Sequence, residues 1–312
     1  MVAIQNPQIC FQNERLKKGQ AVTDSRGLPA VSSGSFAVVF RFRLPSEPDL
    51  AIRCFTQSIT DHKHRYSQIS DALNSCDLDT LVEFSYLERG IQVDEEIYPV
   101  LEMEWASGVQ LDQYIEAKHH SASRLNSLAD RWRNVFKRLA EQKIAHGDLS
   151  SDNVLVDDQG QFRLVDYDGI YVPSLAGDPP PESGTPNFQH PERLDQGHYG
   201  PNSDSFAGLV IYLSLRAVAE KPELWKRHHT GENLIFKQED FEKPNRTEIW
   251  DELRSISDQE VREHTDTLAT WCQQRVTNLP SFSSVFYSSD RKNTGPWSHG
   301  NLRRLNELYG EE

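Results

Sequence analysis

Residues 145 to 156 read AHGDLSSDNVLV, and thirteen residues beyond Asn153 comes Asp166, within LVDYDG. Two short apolar runs, NVLV and FRLV, flank the turn DDQGQ and have the composition of paired strands. Polar loops at strand ends have a plain reading as turns whose carboxylates face water. They also have a chemical reading, in which Asp148 orients a hydroxyl while Asn153 and Asp166 hold a metal ion. Few folds need an Asp, an Asn and a second Asp at this spacing, so this stretch constrains the chain more than any other.

The text on either side divides into two styles. Residues 1 to about 30 are polar and irregular. FAVVFRF and DLAIRCF then read as an antiparallel strand pair across the breaker LPSEP. Tyr66, Ile69 and Leu73 recur at helical spacing, and the apolar segments LVEFSYLERGIQV and IYPVLEMEW flank the acidic turn DEE. After Trp105 the pattern is helical. Leu111 to Ala117 and Asn126 to Gln142 are amphipathic, and SFAGLVIYLSLRAV reads as a buried helix. The expected organisation is an N-terminal extension (1–24), a small sheet with one helix (25–105), a mainly helical part (106–287) and a tail (288–312). The fold class expected is α+β in two lobes.

Composition excludes several functions. The net charge of −14 argues against a nucleic-acid or anionic-membrane binder, which needs a basic face. It suits a basic protein partner or a magnesium–nucleotide site. Cys10, Cys54, Cys76 and Cys272 show no CxxC spacing and read as reduced thiols. The N-terminal segment lacks the pattern of a signal peptide, and no apolar run reaches membrane-spanning length. A cytoplasmic protein is the expectation.

Phosphoryl transfer needs a lid over phosphates, a cation on them, metal ligands and a group that orients the attacking hydroxyl. The chain writes these in one order: SSGSFAVVF, AIRCF, HGDLSSDN, LVDYDG, GTPNFQHPE and DSFAGL. In that order the chain resembles the protein kinases, and more narrowly a bacterial branch with HGDL in its catalytic loop and VDYDG in place of DFG. The likeness spans roughly residues 25 to 287. It implies Asp148 as catalytic aspartate, Asn153 and Asp166 as magnesium ligands, and Arg53 as the phosphate-contacting cation. It further implies an ATP pocket formed by Gly34, Val39, Ile52, Arg53, Met103, Glu104, Ala106 and Leu155, with Met103 as gatekeeper. Asp204 would tie down the catalytic loop. The implied substrate is a protein, and relatives of this kind often work beside a phosphatase or regulatory partner.

Departures from the pattern are as informative. Arg53 stands where lysine is usual, and no glutamate lies between Glu47 and Glu83 to pair with it. Asp71 is the first candidate partner and Asp166 the second. Ser32 and Ala37 replace two loop glycines. Gly147 replaces the arginine that reads a phosphorylated activation segment, Ser150 replaces a lysine, and Asp168 replaces the DFG glycine. Three functions therefore stand side by side: a Ser/Thr protein kinase, a pseudokinase that binds nucleotide or scaffolds partners, and a small-molecule phosphotransferase.

Overall fold

The computed structural model describes residues 3–33, 37–56, 62–76 and 78–290. Six strands form one antiparallel sheet: β1 (Gln20–Ala21), β2 (Val31–Ser33), β3 (Ala37–Arg43), β4 (Leu50–Phe55), β5 (Phe84–Val93) and β6 (Glu96–Glu104). The order is β1-β3-β4-β6-β5, with β2 on the outer part of β3. The LPSEP breaker becomes the β3–β4 turn, where Ser46 adopts a positive φ, and the β5–β6 turn does the same at Asp94.

Alternation along the strands gives this sheet two unlike faces. On the outer face Phe40, Phe42, Ile52, Val100 and Ile91 meet Ile4, Cys10, Phe11 and Leu16 from the N-terminal extension. The extension, which looks irregular in sequence, is thus docked as a cover, with Phe11 edge-on to Phe42 at 5.3 Å. On the inner face Ala51, Phe84, Leu101 and Met103 share a core with Tyr66, Ile69 and Leu73 of helix α1 (His62–Asn74).

The rest is helical around a small sheet of β7 (Val109–Gln110), β8 (Val154–Val156) and β9 (Phe162–Leu164). Its helices include α2 (Leu111–Lys118), α3 (Ala122–Glu141), α4 (Pro191–Gln196), α5 (Ser205–Glu220), α6 (Gln259–Trp271) and α7 (Phe282–Asp290). Helix α3 begins four residues before the expected start at Asn126, because its buried stripe already includes Leu125. That stripe packs on α5, which is buried nearly all round. Gly208 permits the contact: a Cβ there would lie 2.4 Å from the Phe136 ring, and the Gly208 carbonyl accepts from Trp132 Nε1 at 3.0 Å. Arg216, the charge inside α5, meets Asp258 at 3.1 Å and Glu260 at 3.4 Å. No helix among the described residues is long and apolar enough to cross a membrane. The architecture is that of a two-lobed α+β chain, with an open cleft below the inner face of the large sheet.

Candidate active site

The loop that follows α3 is held mainly through its backbone. Lys143, at φ 55, ends the helix. Ala145 and Tyr171 exchange backbone hydrogen bonds of 3.1 and 2.7 Å. Asp204, 3% exposed, accepts from the amide of Gly147 at 2.8 Å and from that of His146. Burial pushes its carboxyl upward, while His146, Arg193 and these amides favour the charged form. The expected tie between Asp204 and the catalytic loop is therefore present. Gly147 has a φ of +85, and a Cβ on it would sit 2.0 Å from the carbonyl oxygen of Gly169. Two main-chain segments touch at that point, and no side chain fits between them.

Asp148 is half-buried rather than turned to solvent. Its Oδ1 accepts from Thr185 N at 2.7 Å and Thr185 Oγ1 at 3.1 Å, and its Oδ2 accepts from Asn153 Nδ2 at 3.1 Å. Asn153 also donates to the Asp148 carbonyl at 2.8 Å, and its own carbonyl accepts from Val165 N at 3.0 Å. This last bond draws the two acidic loops together and leaves Asp166 just beyond it. Asp166 sits in the left-handed region at φ 67, an uncommon conformation for a non-glycine residue. Its neighbour Tyr167 turns the other way, fully into the core, and donates from its hydroxyl to the Leu164 carbonyl at 2.8 Å.

Arg53 enters from β4 and is 3% exposed. It pairs with Asp166 through Nη1 at 2.5 Å and with Asp168 through Nη2. Burial disfavours its charge, but the two carboxylates outweigh that and hold the guanidinium charged. Among the described residues its buried Nε has no hydrogen-bond partner. The expected partner Asp71 is exposed on α1, so the first choice is corrected: Asp166, the second choice, holds Arg53, together with Asp168, which was not foreseen. Burial likewise raises the Asp168 carboxyl, against the pull of Arg53. Both of its oxygens receive donors, from Arg53 and from the Tyr66 hydroxyl, and that favours the ionised form. Arg65, beside Tyr66 on α1, donates to the carbonyls of Asp168 and Ile170, at 2.8 Å each.

Arg53, Asp148, Asn153, Asp166 and Asp168 line a cavity of about 860 Å³, within the range of sites that bury small ligands. Val39, Arg53, Met103, Glu104, Ala106, Leu155, Asp148, Asn153 and Asp166 all border it, as expected. Gly34 lies outside the described residues. Ile52 requires correction. It is fully buried in the outer core, because strand alternation turns it away from the cleft, and Ala51 lines the cavity instead. Sequence reasoning also missed Glu182 and Thr185, which reach the cavity from the Pro-rich segment. The carboxyl of Glu182 is pushed up to about 8 by burial and then by Asp148, Asp168 and Asp166. At the other end Trp105 carries the Arg41 guanidinium 5.0 Å above its ring.

The protein kinase domain family matches residues 28–286 of this chain. The chain belongs to the protein kinase family. It is similar to the SNF1-related protein kinase catalytic subunit alpha KIN12 of Arabidopsis thaliana, with 29% identity over 140 residues, 40% of this chain and 25% of that protein. It is similar to the dual specificity mitogen-activated protein kinase kinase mek-2 of Caenorhabditis elegans, with 32% identity over 113 residues, 34% of this chain and 28% of that one. A third relative is the liver/testis phosphorylase b kinase gamma catalytic chain of Mus musculus, 35% identical over 109 residues, 30% of this chain and 26% of that one. The matches span about a quarter of the length of each of these relatives.

In this kinase domain the cavity has an apolar end, with Val39, Ala51, Met103 and Leu155, and a charged end, with Arg53, Asp148, Asn153, Asp166 and Asp168. Such a division fits a nucleotide: a flat base against aliphatic side chains and phosphates toward the cation. The carboxylates outnumber Arg53 there, which fits an additional cation. Among the described residues no three His, Cys, Asp or Glu side chains make a ready metal site, so such a cation would complete its shell with phosphate oxygens or water.

Proposed function

We propose that the chain transfers the γ-phosphoryl group of ATP, with magnesium, to serine or threonine hydroxyls of a protein substrate. The observation that carries this reading is the setting of Asp148. A carboxylate offers about four lone-pair sites. Asn153 and the two donors of Thr185 occupy three on Asp148, which leaves one on Oδ2 for an incoming hydroxyl. Asp148 would orient that hydroxyl and take up its proton as the new bond forms. Asn153 and Asp166 would hold magnesium, whose contribution is to neutralise charge on the phosphates. Arg53 would contribute positive charge at the phosphate end, and Met103, Glu104 and Ala106 would receive the base.

A protein substrate is supported by the ordered platform beyond Thr185. His190 caps α4 through Glu192 N at 3.1 Å, and Glu192 anchors Val276 N at 2.6 Å. Asp148 and Asp152 give the mouth an acidic character that suits basic residues near the acceptor. HGDL and VDYDG are the features that suggest the bacterial branch, and a phosphatase would be needed to reverse the modification.

The test is transfer of radiolabelled phosphate from ATP with magnesium to a lysine- and arginine-rich protein, run beside Asp148→Asn. Label on Ser or Thr in the wild type, reduced about 10²- to 10⁴-fold in the variant, is the expected result. A second reading, a pseudokinase, is favoured by the Arg53–Asp166 pair, which occupies a proposed metal ligand. Magnesium–nucleotide binding without transfer would select it.

A further inference from the structure

A kinase works only when the cation on its phosphate strand is held in place, and the usual holder is a glutamate on the helix beside the sheet. Helix α1 has no glutamate, and its acid, Asp71, is exposed. Arg53 is nonetheless deeply buried and doubly paired. Its two carboxylates are not equivalent. The side chain of Asp166 is 39% exposed and borders the cavity, whereas that of Asp168 is 9% exposed. Asp166 is the carboxylate a metal ion can reach. Asp168 has both oxygens committed, one to Arg53 and one to the Tyr66 hydroxyl of α1, and its backbone carbonyl is gripped by Arg65 of the same helix.

We propose that Asp168 is a positioning residue that replaces the missing helix carboxylate, with the Tyr66 hydroxyl as the helix's end of the linkage to Arg53. This inference rests on the kinase reading of the site. The acid has moved from the helix to the loop that carries the metal ligand, and the tyrosine supplies the reach lost with the shorter aspartate. When a cation takes Asp166, Arg53 keeps Asp168. The freed Nη1 then remains for phosphate oxygens. A buried ion pair serving only stability would sit equally well with Asp166 alone and would not need the hydroxyl of Tyr66.

The experiment uses the full chain with Asp168→Asn, Asp168→Glu, Tyr66→Phe and the double variant Asp168→Asn/Tyr66→Phe. Calorimetry with ADP and magnesium gives nucleotide affinity, phosphate transfer gives kcat and the KM for ATP, and thermal melting reports folding. Expected are a 10- to 100-fold loss of kcat for Asp168→Asn, as for other groups that orient a reacting site, and a smaller loss in the same direction for Tyr66→Phe. The double variant should be no worse than Asp168→Asn, since both act through one chain of contacts. Asp168→Glu should recover part of the loss. Should Asp168→Asn not fold, Tyr66→Phe and Asp168→Glu decide the matter.

A folded Asp168→Asn with wild-type kcat, KM and affinity overturns the proposal, as does additivity in the double variant. Asp148→Asn separates the two ideas, because it should cut transfer about 10²- to 10⁴-fold while ADP still binds. If the wild type binds magnesium–ADP but transfers nothing, the catalytic reading fails, and affinity alone judges Asp168: a drop supports its role, and an unchanged value refutes it. A wild type that binds no magnesium–ADP overturns both.

Discussion

The two sides of the cleft are built by different means. On the helical side the catalytic loop is fixed chiefly by hydrogen bonds with its main chain: Asp204 and Arg193 on Gly147, Tyr171 on Ala145, Asn153 on the Asp148 carbonyl. On the sheet side the decisive contacts are between charged or polar side chain ends: Arg53, Asp166, Asp168 and Tyr66. Main-chain anchors depend little on which side chains neighbour them, so the loop keeps a familiar text. Side-chain anchors can be reassigned among residues that reach the same point, and here the text departs from the family pattern. The lesson is that altered residues on the sheet side do not by themselves mean an abandoned site.

The sharpest attack on this comparison is Asp204→Ala. It leaves two buried amides without an acceptor, at about 1–3 kcal/mol each, so unfolding in urea should show a loss of about 4 kcal/mol and transfer should fall at least tenfold. Arg53→Met comes next. Breaking a buried pair costs about 3–5 kcal/mol, but the partial exposure of Asp166 reduces this, and about 2 kcal/mol is expected. If Arg53→Met proved costlier than Asp204→Ala, the contrast between the two sides would collapse.

Gly208→Ala sharpens the comparison from outside the site. Its Cβ would press on the Phe136 ring, and overpacking of this kind costs about 1–3 kcal/mol. Melting should fall while KM for ATP holds, because neither Gly208 nor Phe136 lines the cavity. At pH 5 the smallest effect belongs to Glu182→Gln. Glu182 titrates near 8 when folded, against an ordinary value of 4.5. Its charge is opposed in the folded state, so stability is fullest below the ordinary value and declines as pH rises toward and through 8. The glutamine variant should melt like the wild type at pH 5 and above it at pH 8.5, with the gap widening between those values.

Much of the fold and part of the site were legible in the sequence, and the reasons differ by region. Asn153 and Asp166 lie at the ends of the β8–β9 hairpin, with Asp148 in the short loop before it, and a fixed number of residues leaves little choice of position. Met103 and Glu104 end a strand whose alternation is plain, and Ala106 follows it. Ile52 was placed in the pocket although the period of two puts it on the opposite face from Arg53, and Ala51 takes that place. Of the partners of Arg53, Asp166 ranked second to Asp71 and Asp168 was not legible, because they depend on how α1 and the VDYDG loop meet, and no periodicity encodes that meeting. Glu182 lies in a Pro-rich segment without regular spacing. The extension gave no signal either, since Ile4, Cys10, Phe11 and Leu16 follow no helical or strand repeat.

Replacing an amine with a guanidinium at position 53 also changes what a chemist can attach to this protein. Nucleotide analogues that acylate an amine beside the phosphates need a nucleophilic nitrogen, and a guanidinium stays protonated at any ordinary pH. No lysine and no cysteine occurs among the described residues that line the cavity. Reagents of that kind would pass through the cleft without leaving a mark, so a survey relying on them would miss this kinase even while it was loaded with nucleotide.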